Sequence, residues 1–131
     1  MGFKIHSTDD GRTPAIEYLP VSAITPKAGM ALAMSGGKLA IAAGTTKPTY
    51  ISAVEKETAC TAGDLIPVVR IQPDMVLGTT AAVAMTSIAL GAKVTIATGG
   101  LQVTATTTDG ICEVVAMDGT AAGCEVLIRI V

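Results

Sequence analysis

A chain of 131 residues has the length of one ordinary domain and can bury a core without disulfide or metal staples. Half of it is hydrophobic, yet only 2% is aromatic (Phe3, Tyr18 and Tyr50, with no Trp), and the net charge is −2 from nine basic and eleven acidic residues. The bases stand singly, so nucleic acid has no electrostatic footprint and few rings to stack on. The mean hydropathy of +0.57 does not point to a membrane either. Charges, glycines or prolines interrupt every apolar run short of a spanning helix.

Residues 1–20 differ from the rest of the chain. They hold most of the aromatics, the single histidine His6, and a polar centre at Thr8-Asp9-Asp10-Gly11, which is turn chemistry. Pro14 and Pro20 bias their predecessors to extended backbone. The segment reads as an extended N-terminal arm, either a frayed terminus or a set of anchors, Phe3, Ile5, Ile16, Tyr18 and Leu19, that order on a partner. On the second alternative the arm contributes little to the fold and much to binding. Met1-Gly2 is not a myristoylation signal, because His6 stands where Ser or Thr is wanted. No basic segment followed by an apolar core marks a secretory leader.

A single β domain is expected over 21–131. Residues 30–34 and 39–41 alternate around Ser35-Gly36-Gly37, the pattern of a hairpin with a tight glycine turn. Further strands are expected at 50–54 and 65–71, and Pro67 within the latter argues for an edge position or a bulge. Glu55 to Gly63 reads as a connection, and Gln72-Pro73-Asp74 as a break. β-branched residues make 75–85 a strand. A second glycine-entered hairpin comes next at 91–103, then strands at 111–116 and 124–131.

These later elements repeat the earlier ones. Gly91 to Val103 matches Gly29 to Ile41, Ile111 to Val115 matches Ile51 to Glu55, and Thr120 to Ile130, ending in Arg-Ile, matches Thr61 to Ile71. Two copies are expected, about 23–71 and 84–130, packed around one shared core of Leu32, Ile41, Val54, Val69, Val94, Ile96, Val114 and Ile128. No long amphipathic helical period occurs. The fold class is therefore all-β, a small barrel or sandwich built from two repeated β-units with an extended N-terminal arm.

The residues for chemistry do not assemble in the sequence. A nucleophile–histidine arrangement has only His6 to use, in the arm. Asp9-Asp10 is an adjacent pair whose side chains diverge in extended chain, so no metal site is expected. Ser35-Gly36-Gly37-Lys38 is no phosphate loop, since Leu32 stands at the first Gly of that pattern and Leu39 at the hydroxyl position. Glu55 with Glu57, or Glu113 with Glu125, lacks the aromatic platforms of a sugar site. Cys60, Cys112 and Cys124 are an odd set without metal spacing and read as free, apolar-flanked thiols of a reducing compartment. No catalytic residue, cofactor or metal is expected; the chain does not read as an enzyme.

The succession of Gly entry, apolar strand, Gly-Gly-Lys-Leu turn, strand, Thr-rich loop, Ile-x-x-Val strand, Ala-Gly-Asp turn and Val-Val-Arg-Ile strand, Gly29 to Ile71, resembles the capsid decoration (cement) proteins of tailed bacteriophages. The resemblance covers roughly 21–131. It implies a structural virion protein, made in the bacterial cytoplasm, that binds the major capsid protein on the outer capsid surface and stabilises the shell, some members ordering an N-terminal arm against it. It also raises a homo-oligomer, a trimer, on the capsid, though the repeated unit departs from many relatives. The alternative from the residues is a ligand- or receptor-binding β-module of a tail fibre or adhesin.

Overall fold

The computed structural model describes residues 2–8, 11, 12 and 14–131. The Asp9-Asp10 pair lies outside them. Ten strands and no helix appear among the described residues: β1 (Lys4–Ser7), β2 (Ile16–Pro20), β3 (Ala31–Ser35), β4 (Lys38–Ile41), β5 (Tyr50–Ser52), β6 (Leu65–Arg70), β7 (Val76–Thr80), β8 (Lys93–Val94), β9 (Cys112–Met117) and β10 (Glu125–Ile130). They form two five-stranded antiparallel sheets, in the orders β2-β6-β5-β3-β4 and β1-β7-β10-β9-β8. Neither closes into a barrel; the pair is a sandwich.

The two sheets share one wiring. β2 lies on β6 as β7 lies on β10, β6 on β5 as β10 on β9, and β5 on β3 as β9 on β8. Connecting hydrogen bonds recur pair by pair. The Gly29 amide donates to the Ser52 carbonyl at 2.9 Å, and that of Gly91 to Val114 at 2.8 Å. Likewise Gly63 donates to Val21 and Gly123 to Ala81, both at 2.8 Å. Parallel bridges Val21–Leu39 and Ala81–Val103 complete the match. The units therefore begin at β2 and β7, earlier than the copies at 23 and 84 expected from sequence. Alternation did not reveal β2 because Leu19 and Pro20 break the short period set by Ile16, Glu17 and Tyr18.

The first hairpin forms as its sequence dictates. Gly36 and Gly37 take φ of 58° and 81°, the left-handed pair that matches the twist of flanking strands. In the second unit the matching hairpin is reduced to the two residues of β8 and isolated bridges at Ile96 and Val103. Its backbone instead reaches across. Ala31 donates to Gly100 at 2.7 Å, and Gly44 and Ile96 exchange bonds at 2.7 and 3.1 Å. Gly100 permits this approach, since a Cβ there would stand 3.0 Å from the Ala31 carbonyl.

Two hydrophobic clusters replace the single core. One is built from the first unit's Val21, Met30, Leu32, Leu39, Tyr50, Cys60, Ile66 and Val68, with Leu101 of the second unit packed against it. The larger joins the second unit's Leu77, Val94, Ile96, Val103, Val114, Val126 and Ile128 to Phe3, Ala31, Ala42 and Ile51. Two expected core residues sit elsewhere: Ile41 is exposed at the end of edge strand β4, and Val69 is only half-buried, outside both clusters; Val54 is half-buried but packs against the first unit's cluster. In β6 the inward residues are Ile66 and Val68. Leu65 to Val69 is apolar throughout, so the sequence could not set the phase, and a one-residue slip exchanges the faces. Pro67 is neither at an edge nor in a bulge: it lies mid-strand in β6, between β2 and β5, where its carbonyl accepts from Ala53 just past the end of β5, so its missing N–H leaves no ladder bond of β5 unmade. The segment 75–85 is a strand only to Thr80.

Candidate interaction surface

The segment assigned to the arm is woven into both sheets. Phe3 is 3% exposed within the larger cluster, and its amide donates to the Gly29 carbonyl at 2.8 Å. Gly2 and Gly29 allow that crossing. Cβ atoms on them would stand 2.5 Å from the Ala28 carbonyl and 2.7 Å from that of Phe3. β1 then pairs with β7, placing Ile5 opposite Leu77 and, past a bulge between Ile5 and Ser7, Ser7 opposite Val76. β2 pairs with β6 over five positions, Ile16 opposite Val69 through Pro20 opposite Leu65.

The five anchor residues consequently separate. Phe3 is core. Leu19 is half-buried against the first unit's cluster. Ile5 is 39% exposed on β1. Only Ile16 and Tyr18 stand together on the outer face of the first sheet, 58% and 65% exposed. Leu65, 61% exposed, joins them from β6, with Pro67 opposite Tyr18 and Val69 opposite Ile16. The sequence reading missed Leu65, Pro67 and Val69, which the ambiguous phase of β6 hid.

On the opposite face of β2, Glu17 accepts from the Arg70 guanidinium at 3.3 Å. The guanidinium also stacks 5.1 Å from the centre of the Tyr50 ring. Glu17, foremost through its hydrogen bond, holds the Arg70 pKa above its usual value. At the matching place in the second unit, Gly78 replaces Tyr18 and opens a groove of about 330 Å³ lined by Lys4, His6, Thr80, Glu125 and Leu127.

Among the described residues, no three His, Cys, Asp or Glu side chains converge as metal ligands would. Cys60, Cys112 and Cys124 are free. Burial pushes the Cys112 thiol up to about 12, so at neutral pH it is protonated and a poor nucleophile. Glu113 pairs with Arg129 at 3.7 Å on the ladder between β9 and β10. Of the pairs weighed for sugar chemistry, Glu113 and Glu125 are thus divided: Glu113 serves a cross-strand contact, and Glu125 lies in the groove. What the surface offers chemically is contact, an apolar patch on the outer face of the first sheet.

No protein-family model and no curated protein matches the chain.

Proposed function

We propose that the protein is a capsid decoration protein of a tailed bacteriophage, bound to the major capsid protein on the outer shell surface and reinforcing it. The observation that carries this reading is the exposed apolar patch of Ile16, Tyr18 and Leu65 on an otherwise well-packed all-β body. Isolated apolar side chains are ordinary on protein surfaces, whereas a contiguous cluster marks an interaction site. Each such residue contributes about 1.5–3 kcal/mol when fully buried, less here because each is partly covered already. Modest contacts of that size suit a shell protein, since several made at once to neighbouring capsid subunits, or by a trimer, add as avidity.

The test is co-sedimentation with capsids of the virus that encodes the protein. The unsubstituted chain is expected to pellet with capsids. The variant Ile16→Ser/Tyr18→Ser/Leu65→Ser is expected to keep its circular-dichroism spectrum and lose at least about tenfold in affinity, or about 1.4 kcal/mol. Failure of the unsubstituted chain to bind refutes the assignment; full binding by the variant refutes the patch.

A further inference from the structure

Asp109-Gly110 and Asp118-Gly119 are aspartyl-glycyl steps lying wholly within the described residues, and the fold treats them oppositely. At such a step the backbone amide can reach the preceding side-chain carboxyl with little obstruction, because glycine carries no Cβ beside the attacking nitrogen. Asp109 has a φ of 52°, and the Gly110 amide donates to the Thr107 carbonyl at 3.4 Å. Gly110 also lies so close to the Lys93–Val94 peptide that a Cβ on it would stand 2.3 Å from the Lys93 carbonyl. That step is clamped. Asp118 and Gly119, by contrast, open the exposed run 118–123 between β9 and β10. The Asp118 amide donates to the Glu125 carbonyl at 2.8 Å, but the Gly119 amide has no acceptor among the described residues, and nothing lies within 4 Å of where its Cβ would stand. The Asp118 carboxylate likewise makes no hydrogen bond or ion pair among them.

The first unit has no such step. Gly63 and Gly123 are matched by their bonds to Val21 and Ala81, and counting back from them puts Thr58-Ala59 where the second unit has Asp118-Gly119. Just beyond the step, the Thr120 carbonyl accepts from the Met85 amide at 2.7 Å, and Met85 is fully buried in the larger cluster. The exposed turn is therefore tied to the core.

We infer that Asp118-Gly119 is a site of spontaneous aspartate isomerisation, where the chain converts to an isoaspartyl linkage that lengthens the backbone beside the Thr120–Met85 contact. The Gly119 nitrogen attacks Cγ of the protonated Asp118 carboxyl. A bond forms between that nitrogen and Cγ, the Cγ–O bond breaks, and the hydroxyl leaves with the amide proton as one water, closing a five-membered succinimide. Solvent water then reopens the ring. Addition at Cγ restores aspartate, whereas addition at the backbone carbonyl carbon of residue 118 breaks its bond to nitrogen and leaves Gly119 joined through Cγ. Nothing is oxidised or reduced, and the final mass is unchanged. The main chain then runs through Cβ and Cγ, one carbon longer, and the former backbone carbonyl becomes a side-chain carboxylate. Ring closure requires the Gly119 nitrogen to swing toward its neighbour's side chain, which an unbonded, uncovered amide allows and the clamped Gly110 amide resists. The inference does not depend on the capsid reading.

The test is warm storage of the full chain at mildly acidic pH, followed by peptide mapping with electron-based fragmentation, which tells isoaspartyl from aspartyl linkages, and by labelling with an isoaspartyl methyltransferase. Isoaspartate is expected to accumulate at residue 118 at least about tenfold faster than at residue 109, equivalent to about 1.4 kcal/mol of barrier. In concentrated urea, where neither step is held by the fold, the two rates should converge. Asp118→Glu keeps the charge but needs a six-membered ring to close, so it should keep its circular-dichroism spectrum and lose the label at this position. Hydrogen exchange at the Met85 amide is expected to quicken at least about tenfold in the isomerised protein, with the amides of β6 unchanged. Equal rates at residues 109 and 118 in the folded chain overturn the inference, and so does a preference for 118 that persists undiminished in urea, which would trace it to sequence neighbours instead of the fold. Unchanged exchange at Met85 overturns the link from the turn to the core.

Discussion

Phe3→Ala is expected to destabilise the protein severely, although Phe3 lies almost at the start of the chain. The ring is 3% exposed and packs in the cluster that joins the two units. Truncating a buried Phe to Ala removes its transfer energy and leaves a cavity, together about 3–5 kcal/mol. A domain of this size is stable by about 5–15 kcal/mol, so a large fraction of the total is at stake. The unfolding midpoint should fall by roughly 10–20 °C. Ile5→Ala, two residues on and 39% exposed, is the control and should cost under about 1 kcal/mol. Thermal melts followed by circular dichroism, with urea titrations for the free energies, measure both. Equal midpoints for Phe3→Ala and the unsubstituted chain, within about 2 °C, would refute the placement of residues 2–7 in the fold. By the same reasoning deletion of residues 2–19, harmless if they are an arm, should unfold the protein.

The phase of β6 is tested by neighbours: Val68→Ala, fully buried, should cost roughly 2–3 kcal/mol, and Val69→Ala, half-buried and outward, under about 1. A larger loss at Val69 in urea titrations would reverse the two faces. For Cys112 the folded pKa of about 12 lies above its ordinary value of 9.0, so the folded state holds the proton that the unfolded state releases. Its stabilising effect is complete below pH 9 and declines from there to pH 12, by up to about 1.4 kcal/mol per pH unit from this thiol. Cys112→Ser should flatten that alkaline slope, and an unchanged slope would show that other groups cause it.

The elements legible in the sequence were those whose signals are local. Gly36-Gly37 between two alternations specified the first hairpin, and the Gly29/Gly91 entries with the Arg70-Ile71 and Arg129-Ile130 endings specified the duplication. Three things were not legible. β1 and β2 are strands because of partners far along the chain, Leu77 for Ile5 and Ile66 for Leu19, while their own residues are polar or proline-flanked. The faces of β6 were ambiguous because successive residues are all apolar. The candidate surface was half visible: Ile16 and Tyr18 stood out as scarce large side chains, but Leu65 enters only through its register opposite Pro20. Phe3, flagged with them by the same scarcity, is a core residue for the same chemical reason.

The N-terminal segment also sets the order in which the molecule can be completed. Its first strand belongs to the second sheet and its second strand to the first, so each waits for a partner that the ribosome has not yet made. Glu17 meets Arg70 across a separation of 53 residues. At roughly 5–20 residues per second, β2 spends several seconds of synthesis with its apolar side chains unmatched, and β1 longer still. The first unit cannot finish during translation until β6 has been made, nor the second, with β1 on its edge, until β10 has. Non-local closure of this kind is slow in isolated chains as well. A nascent protein whose beginning must be kept available until late is one whose exposed β2 side chains a chaperone at the exit tunnel would shield.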